Sequence, residues 1–461
     1  MKEKDLTPTA TEKLADYVAR LNYEDLPEDV VGLAKSCLLD ILGCAISGGV
    51  DEMTARAAKG AVKCHSGGDA TAWAICQRAS APGAAMANAI CAETSDFTYA
   101  LGGTAILPAV LAVAEKEGIG GREVIVAIVA GHEVMWRIHK AVNQFSLQQR
   151  GFYPQGVCAS FGPAAAVAKL LGLDAKATAS AIGLAAGAGI GIRAYAAEGL
   201  RTKQFYLGTA SASGVTIGYL AQAGMPSARL SLEAKGSGFF TTYAGTDYDV
   251  GGTSYKLGEE FLLRRTAFKL YPACRYVHTS IDAARRLASL VKPQEVERIE
   301  VRVPLMAAQV AGDRPVRSTY DAQFSIPWTV AVTLIDGTGL NGDQVSATRI
   351  QDRQVLALAQ KVRVEADPEL DRMLHGDLPP VVISCRMRIL CRDGTEHSAL
   401  VEYARGSAEN PPTKEELHGK FEHLVEGLVS SAQAKKIEAL VEDLEHLGDI
   451  SSLIATASTR T

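Results

Sequence analysis

Nine cysteines are scattered along the 461 residues, and none forms a C-x-x-C pair. That spacing argues against a zinc-ribbon site or a disulfide framework and predicts buried free thiols. Long apolar runs are missing too. Val124–Ala130, among the longest, falls far short of the roughly 20 residues that a membrane span needs. The first residues are charged and polar, without the apolar core of a signal peptide. No membrane partner and a cytoplasmic location are therefore expected. Basic runs are absent and the net charge is -5, which speaks against nucleic acid or a polyphosphate partner. Aromatic residues make up only 6%, whereas glycine, at 43 residues, is abundant. Such a composition favours helices that approach closely through small residues.

What is present reads as helix over more than half the chain. Thr9 to Glu12 is a capping box ahead of Leu14, Tyr17, Val18 and Leu21 on one helical face. Pro27 suits the first position of a second helix ending near Gly43. Further helices are predicted at Ser80–Glu93, Ile106–Glu115, Arg122–Val142, Phe161–Leu171, Asp174–Gly187 and Gln204–Gly224. No strand is predicted before residue 265. The period changes after Val291. Ile299, Val301 and Val303 alternate with Glu300 and Arg302. Ile383 to Cys391 alternates likewise, and Asp393-Gly394 supplies a hairpin turn. The expected fold is mainly α with an α+β second domain. A large all-helical domain spans 1–265, and an α+β domain with an antiparallel sheet and helices spans 266–405. C-terminal helices at 406–461 rejoin the helical domain.

Phe268–Asp282 gathers Lys269, Tyr271, Cys274, Arg275, Tyr276 and His278 into fifteen residues. It then opens a helix, with Thr279 as N-cap and Asp282 as the acidic half of a capping box. His278 then stands just outside the helix N-terminus. The positive end of the dipole disfavours imidazolium there, so a neutral imidazole able to accept a proton is expected. Lys203 follows Arg201 by two residues, and an amine near other cations is pushed toward neutrality. Alone, it reads more readily as an exposed lysine. Tyr153, in a loop beside Pro154 and Gly156, can act as a proton donor or be a half-buried phenol with a satisfied hydroxyl. Arg275, Lys269 and Arg193 are candidates for substrate carboxylates, because an enolate beside a carboxylate needs cations to offset its charge. Asp96 and Thr98 lie in a polar loop and can orient a lysine or bind substrate, although a loop aspartate is also a common turn residue. Gly187–Gly191 looks like a dinucleotide loop but follows a helix, so no such cofactor is expected. His132 and His139 lie seven apart on one helix without further ligands, so no metal is expected.

Five segments share an order and spacing with a known family: Lys35–Cys44, Arg150–Pro154, Gly199–Lys203, Phe268–Asp282 and Ala322–Trp328. They resemble the MmgE/PrpD family, and the resemblance covers nearly the whole chain. It implies a large helical domain built from both termini, an inserted α+β domain, a homodimer and a site between the domains. It also implies chemistry on small polycarboxylates at a carbon next to a carboxylate, without a metal or organic cofactor. 2-Methylcitrate dehydratases, cis-aconitate decarboxylases and iminodisuccinate epimerases belong to this family. Lys203 and His278 match its catalytic lysine and histidine.

Two departures bear on the branch. The family's dehydratases and decarboxylases carry an acidic-acidic-threonine segment followed by His-Pro, where this chain has Ser95–Gly103 without a histidine. They carry another histidine where this chain has Tyr153. The pattern is most similar to the iminodisuccinate epimerase branch. The resulting expectation is a cofactor-independent isomerase of a small dicarboxylate, with Lys203, His278 and Tyr153 moving protons. The substrate would be held by Arg275, Lys269, Arg193, Asp96 and Thr98, with Cys274 lining the site. The alternative is a hydro-lyase or decarboxylase of a tricarboxylate. A further rival is a polycarboxylate-binding homodimer without catalysis.

Overall fold

The computed structural model describes residues 7–100, 102–372 and 383–458. Leu101, within the Ser95–Gly103 segment, lies outside them. Two apolar cores organise the molecule. The larger draws helices from both ends of the chain, so that Leu14, Leu38, Ile125 and Phe161 share it with Phe421, Ile437 and Leu453. The smaller gathers Val277, Ile281, Val301, Trp328 and Met387 around a sheet. The fold is mainly α with a smaller α+β part.

Glu28–Gly48 is a central helix of the larger core, packed against Ala81–Ala92 and Lys414–Val425. By length and composition it is apolar enough to cross a membrane. Here its apolar side chains from Val30 to Ile46 are buried against the rest of the larger core, apart from a partly buried Leu33. Ala81–Ala92 starts after Ser80 with proline in its first turn and ends at Glu93. It packs antiparallel against Lys203–Gln222. Contact is close because Gly208 faces it, where a Cβ would stand 2.8 Å from Ile90 Cγ1. This arrangement sets Glu93, at the end of one helix, beside Lys203, at the start of the other.

The larger core also holds a hairpin, β1 (Ala70–Ala72) with β2 (Gln77–Ala79), where no strand was expected. Three residues per strand are too few to show alternation. The second sheet comprises β3 (Val296–Val303), β4 (Val362–Ala366), β5 (Cys385–Cys391) and β6 (Glu396–Val401), in the order β4-β3-β5-β6. β5 and β6 form the expected antiparallel hairpin, with Cys385 opposite Val401. The sheet is not wholly antiparallel, however, because β3 pairs parallel with β4, Ile299 opposite Val362. A parallel pair needs a long crossover. The helices Leu305–Ala311, Ile326–Asp336 and Arg353–Ala359 supply it.

The helix expected to be capped by Thr279 is capped two residues earlier, with Val277 at its N-cap, His278 as its first residue and no side-chain cap. Asp282 is not available as a capping residue. Its Oδ1 accepts from the Tyr271 hydroxyl at 2.5 Å, and its Oδ2 from the Arg405 amide at 2.7 Å.

Candidate functional site

Between the two cores lies a cavity of about 550 Å³, within the size range of small-molecule sites. Helices and loops of the larger core contribute Asp96, Thr98, Tyr153, Arg193 and Lys203 to its walls. The segment that leads into the smaller core contributes Lys269, Cys274 and Arg275.

Asp96 is the hub. Its backbone has φ +53°, in the left-handed region that aspartate tolerates better than most residues. Its Oδ1 accepts from Lys203 Nζ at 2.5 Å and from Lys269 Nζ at 2.8 Å. Burial alone would raise the Asp96 pKa, but the two ammonium groups hold it well below the usual carboxylate range. Lys203 Nζ also meets Glu93 Oε1 at 2.8 Å. The other Glu93 oxygen accepts from Thr104 at 3.0 Å and Thr98 at 3.4 Å.

Lys203 corrects an expectation. Burial would lower its pKa, but the Asp96 and Glu93 carboxylates outweigh it, and the amine is held well above its ordinary value. Arg201, whose nearness in sequence suggested the opposite, reaches Asp51 at 3.3 Å instead. At neutral pH Lys203 is an ammonium, a donor of protons rather than an acceptor.

Tyr153 precedes the short helix Pro154–Cys158. Gly156 lets the chain close up here, because a Cβ would stand 2.5 Å from Ile190 O and 2.9 Å from Tyr153 Cδ1. The Tyr153 hydroxyl donates to Gln155 Oε1 at 2.5 Å. Burial, with Tyr195 and Glu93 nearby, raises its pKa well above that of a free phenol. Tyr195 and Tyr320 complete an aromatic wall, and burial raises both of their pKa values as well. All three phenols are therefore protonated at neutral pH.

Arg275 Nη1 is buried with no hydrogen-bond partner among the described residues. Burial lowers its pKa to about 10, so it keeps its charge at neutral pH. The Arg193 guanidinium meets the Gln148 carbonyl at 3.5 Å. Arg314, by contrast, is paired with Asp321 at 2.7 Å. Cys274 is a thiol, its pKa raised to about 11 by burial and by Asp96.

His278 is not among the residues that line the cavity. It is fully buried behind the wall, its ring 5.2 Å from that of Tyr271. Nε2 lies 3.2 Å from the Ala273 carbonyl, so the proton sits on Nε2, while Nδ1 has no partner among the described residues. Burial first, then Arg275 and Lys269, pull its pKa well below the ordinary value. The imidazole is neutral as the sequence suggests, but burial is the main cause. Among the described residues no cluster of histidine, cysteine and carboxylate fits a metal ion. His132 is engaged with Tyr99 and Ile128, and His139 is buried.

Sequence reasoning missed Glu93, Tyr195, Tyr320 and Arg314. Glu93 had a readable signal, since it closes a predicted helix three residues before Asp96 and two nearby carboxylates often share a task. The tyrosines had none, because they meet only through the tertiary fold.

Residues 12–250 match the MmgE/PrpD N-terminal domain and residues 271–446 the MmgE/PrpD C-terminal domain. Among curated relatives, the chain is 28% identical over 473 residues to a cis-aconitate decarboxylase of Aspergillus terreus, covering 96% of this chain and 95% of that one. It is 26% identical over 466 residues to the human cis-aconitate decarboxylase, covering 96% and 93%. A mitochondrial 2-methylcitrate dehydratase of Yarrowia lipolytica is 25% identical over 366 residues, covering 72% and 66%. With two domain matches that together span most of its length, this chain belongs to the MmgE/PrpD family.

Proposed function

We propose that the protein is a lyase acting on a small polycarboxylate, by loss of a carboxyl group and protonation of the remaining carbon. The observation that carries this reading is the imbalance of the cavity. It offers an ammonium at Lys203, a protonated phenol at Tyr153 and, at Arg275, a guanidinium whose Nη1 has no partner among the described residues. Its two carboxylates, Glu93 and Asp96, are both engaged by lysine. Such a site is equipped to donate protons and to stabilise negative charge.

Decarboxylation asks for those two things. The carbon–carboxylate bond breaks, CO₂ leaves, and the electron pair stays on the carbon skeleton, delocalised toward a remaining carboxylate. Cations beside that carboxylate offset the developing charge. The carbon then takes a proton from Lys203 or Tyr153. The similarity to cis-aconitate decarboxylases over nearly the full chain supports the same reading.

The test is incubation with cis-aconitate in deuterated water, following CO₂ and the product by mass spectrometry. Expected are equal amounts of CO₂ and an unsaturated dicarboxylate carrying one deuterium at carbon. Absence of CO₂ across cis-aconitate and related tricarboxylates would sink the proposal. A second reading, an epimerase of an imino-linked dicarboxylate, is favoured by Tyr153 standing where the resemblance places a histidine in decarboxylases. It predicts deuterium uptake and stereochemical change in iminodisuccinate without loss of CO₂.

A further inference from the structure

Behind the cavity wall lies a second buried ion pair that none of the chemistry above uses. Lys420, on the C-terminal helix Lys414–Val425, meets Asp40 Oδ1 at 2.5 Å. Both side chains are almost fully enclosed, at 4% and 1% exposure. An ammonium has three protons to donate. Lys420 places the other two on main-chain carbonyls, Phe97 at 2.6 Å and Lys269 at 3.0 Å. The second Asp40 oxygen accepts from the Tyr99 amide at 2.8 Å. The aromatic face of Phe97 covers the ammonium, 4.0 Å from ring centre to Nζ.

We infer that Asp40 and Lys420 are positioning residues that set the geometry of the Asp96 loop and of Lys269. The pair grips residues 97 and 99, one and three residues after the hub, and residue 269, whose side chain binds the hub, all by their backbones. Asp96 itself holds a left-handed backbone, a conformation that persists only where its surroundings over-determine it. The Lys269 side chain is held by Asp96, and its carbonyl by Lys420. One residue is thus fixed at both ends, once from the cavity and once from behind. Asp40 and Lys420 lie 380 residues apart in the chain. Through Lys420 the helix Lys414–Val425 thus reaches the backbone around the Asp96 hub.

The inference stands on geometry, and only its kinetic arm rests on the lyase reading. The experiment uses the full chain carrying Lys420→Met, with Asp40→Asn as a second, nearly isosteric variant should the first not fold. Hydrogen exchange by mass spectrometry is compared with wild type. Peptides covering 95–100 and 268–271 should exchange about tenfold faster, while those of the Gly121–Ala141 helix stay unchanged. In the cis-aconitate assay kcat should fall about 100-fold with KM within a few-fold, the signature of a misplaced reacting group. Unchanged exchange in both loop peptides, or a rise spread evenly over the whole chain, overturns the inference. If the loop peptides loosen but wild type turns over no polycarboxylate, the positioning role stands and the lyase reading falls. If wild type is active and Asp40→Asn keeps its kcat, the positioning role falls alone.

Discussion

Asp96 holds the Lys269 ammonium twice, through its main-chain carbonyl and through Oδ1, each at 2.8 Å. The left-handed backbone at Asp96 turns both groups of one residue toward the same cation. The same Oδ1 also takes Lys203, so one carboxylate neutralises parts of two buried charges. Removing it leaves an ammonium on each side without that partner.

Asp96→Ala should therefore destabilise the fold by about 3–5 kcal/mol, the usual penalty for stranding a buried charge. Asp96→Asn keeps an acceptor and tolerates positive φ, so it should recover part of that loss while remaining below wild type. Urea unfolding of the three proteins checks the order. An Asn variant as stable as wild type would mean that the charge of Asp96 contributes nothing.

Tyr153→Phe removes a protonated phenol from the cavity and leaves the ring in place. If Tyr153 delivers the proton to carbon, kcat should fall by about 10²–10⁴-fold, with KM little changed. Steady-state kinetics with cis-aconitate decides this. A rate within threefold of wild type would assign proton delivery to Lys203 and reduce Tyr153 to a wall residue.

These groups differ in how far the sequence revealed them. The helices were legible because their apolar faces repeat at 3.6 residues, and β5–β6 because Asp393-Gly394 announces the turn. Lys203, Tyr153, Lys269, Arg275, Arg193, Asp96 and Thr98 all line the one cavity. What they do to each other was not legible. The protonation of Lys203 follows from Asp96, 107 residues earlier, and not from its neighbour Arg201. His278 looked like a base just outside a helix start, yet the helix begins two residues sooner, at His278 itself, and the ring is fully buried. The parallel β3–β4 pair escaped notice because a crossover carries no turn motif. Periodicity reports elements, whereas ion pairing depends on contacts between distant residues.

Three histidines, His132, His139 and His278, are buried and neutral, and burial lowers the pKa of each, to about 4 for the first two. The unfolded chain binds those protons below about pH 6.5. The unfolded state then carries more protons, so stability is full above that pH and falls as pH drops toward the folded values. Each imidazole should contribute a loss of about 1.4 kcal/mol per pH unit in that window. Unfolding free energy measured between pH 7 and 5 should show the slope. His139→Leu should reduce it by about a third. A stability flat from pH 7 to pH 5 would contradict the buried, neutral state of these rings.

Arg275 sets function against stability. Its Nη1 is buried without a partner among the described residues, which costs free energy before substrate binds. With a substrate carboxylate bound, the same group gains a charge-assisted hydrogen bond worth about 1.5–3 kcal/mol. Arg275→Met removes the stranded donor while keeping a flexible apolar stem against the wall. The empty variant should melt at the wild-type temperature or slightly above it. Its KM should rise by about 10–150-fold, and a saturating polycarboxylate should raise its melting temperature less than it raises that of wild type. Thermal melts with and without tricarballylate, alongside KM, separate the two effects. A variant that melts well below wild type, with an unchanged KM, would make Arg275 a structural residue whose partner lies elsewhere than in the substrate.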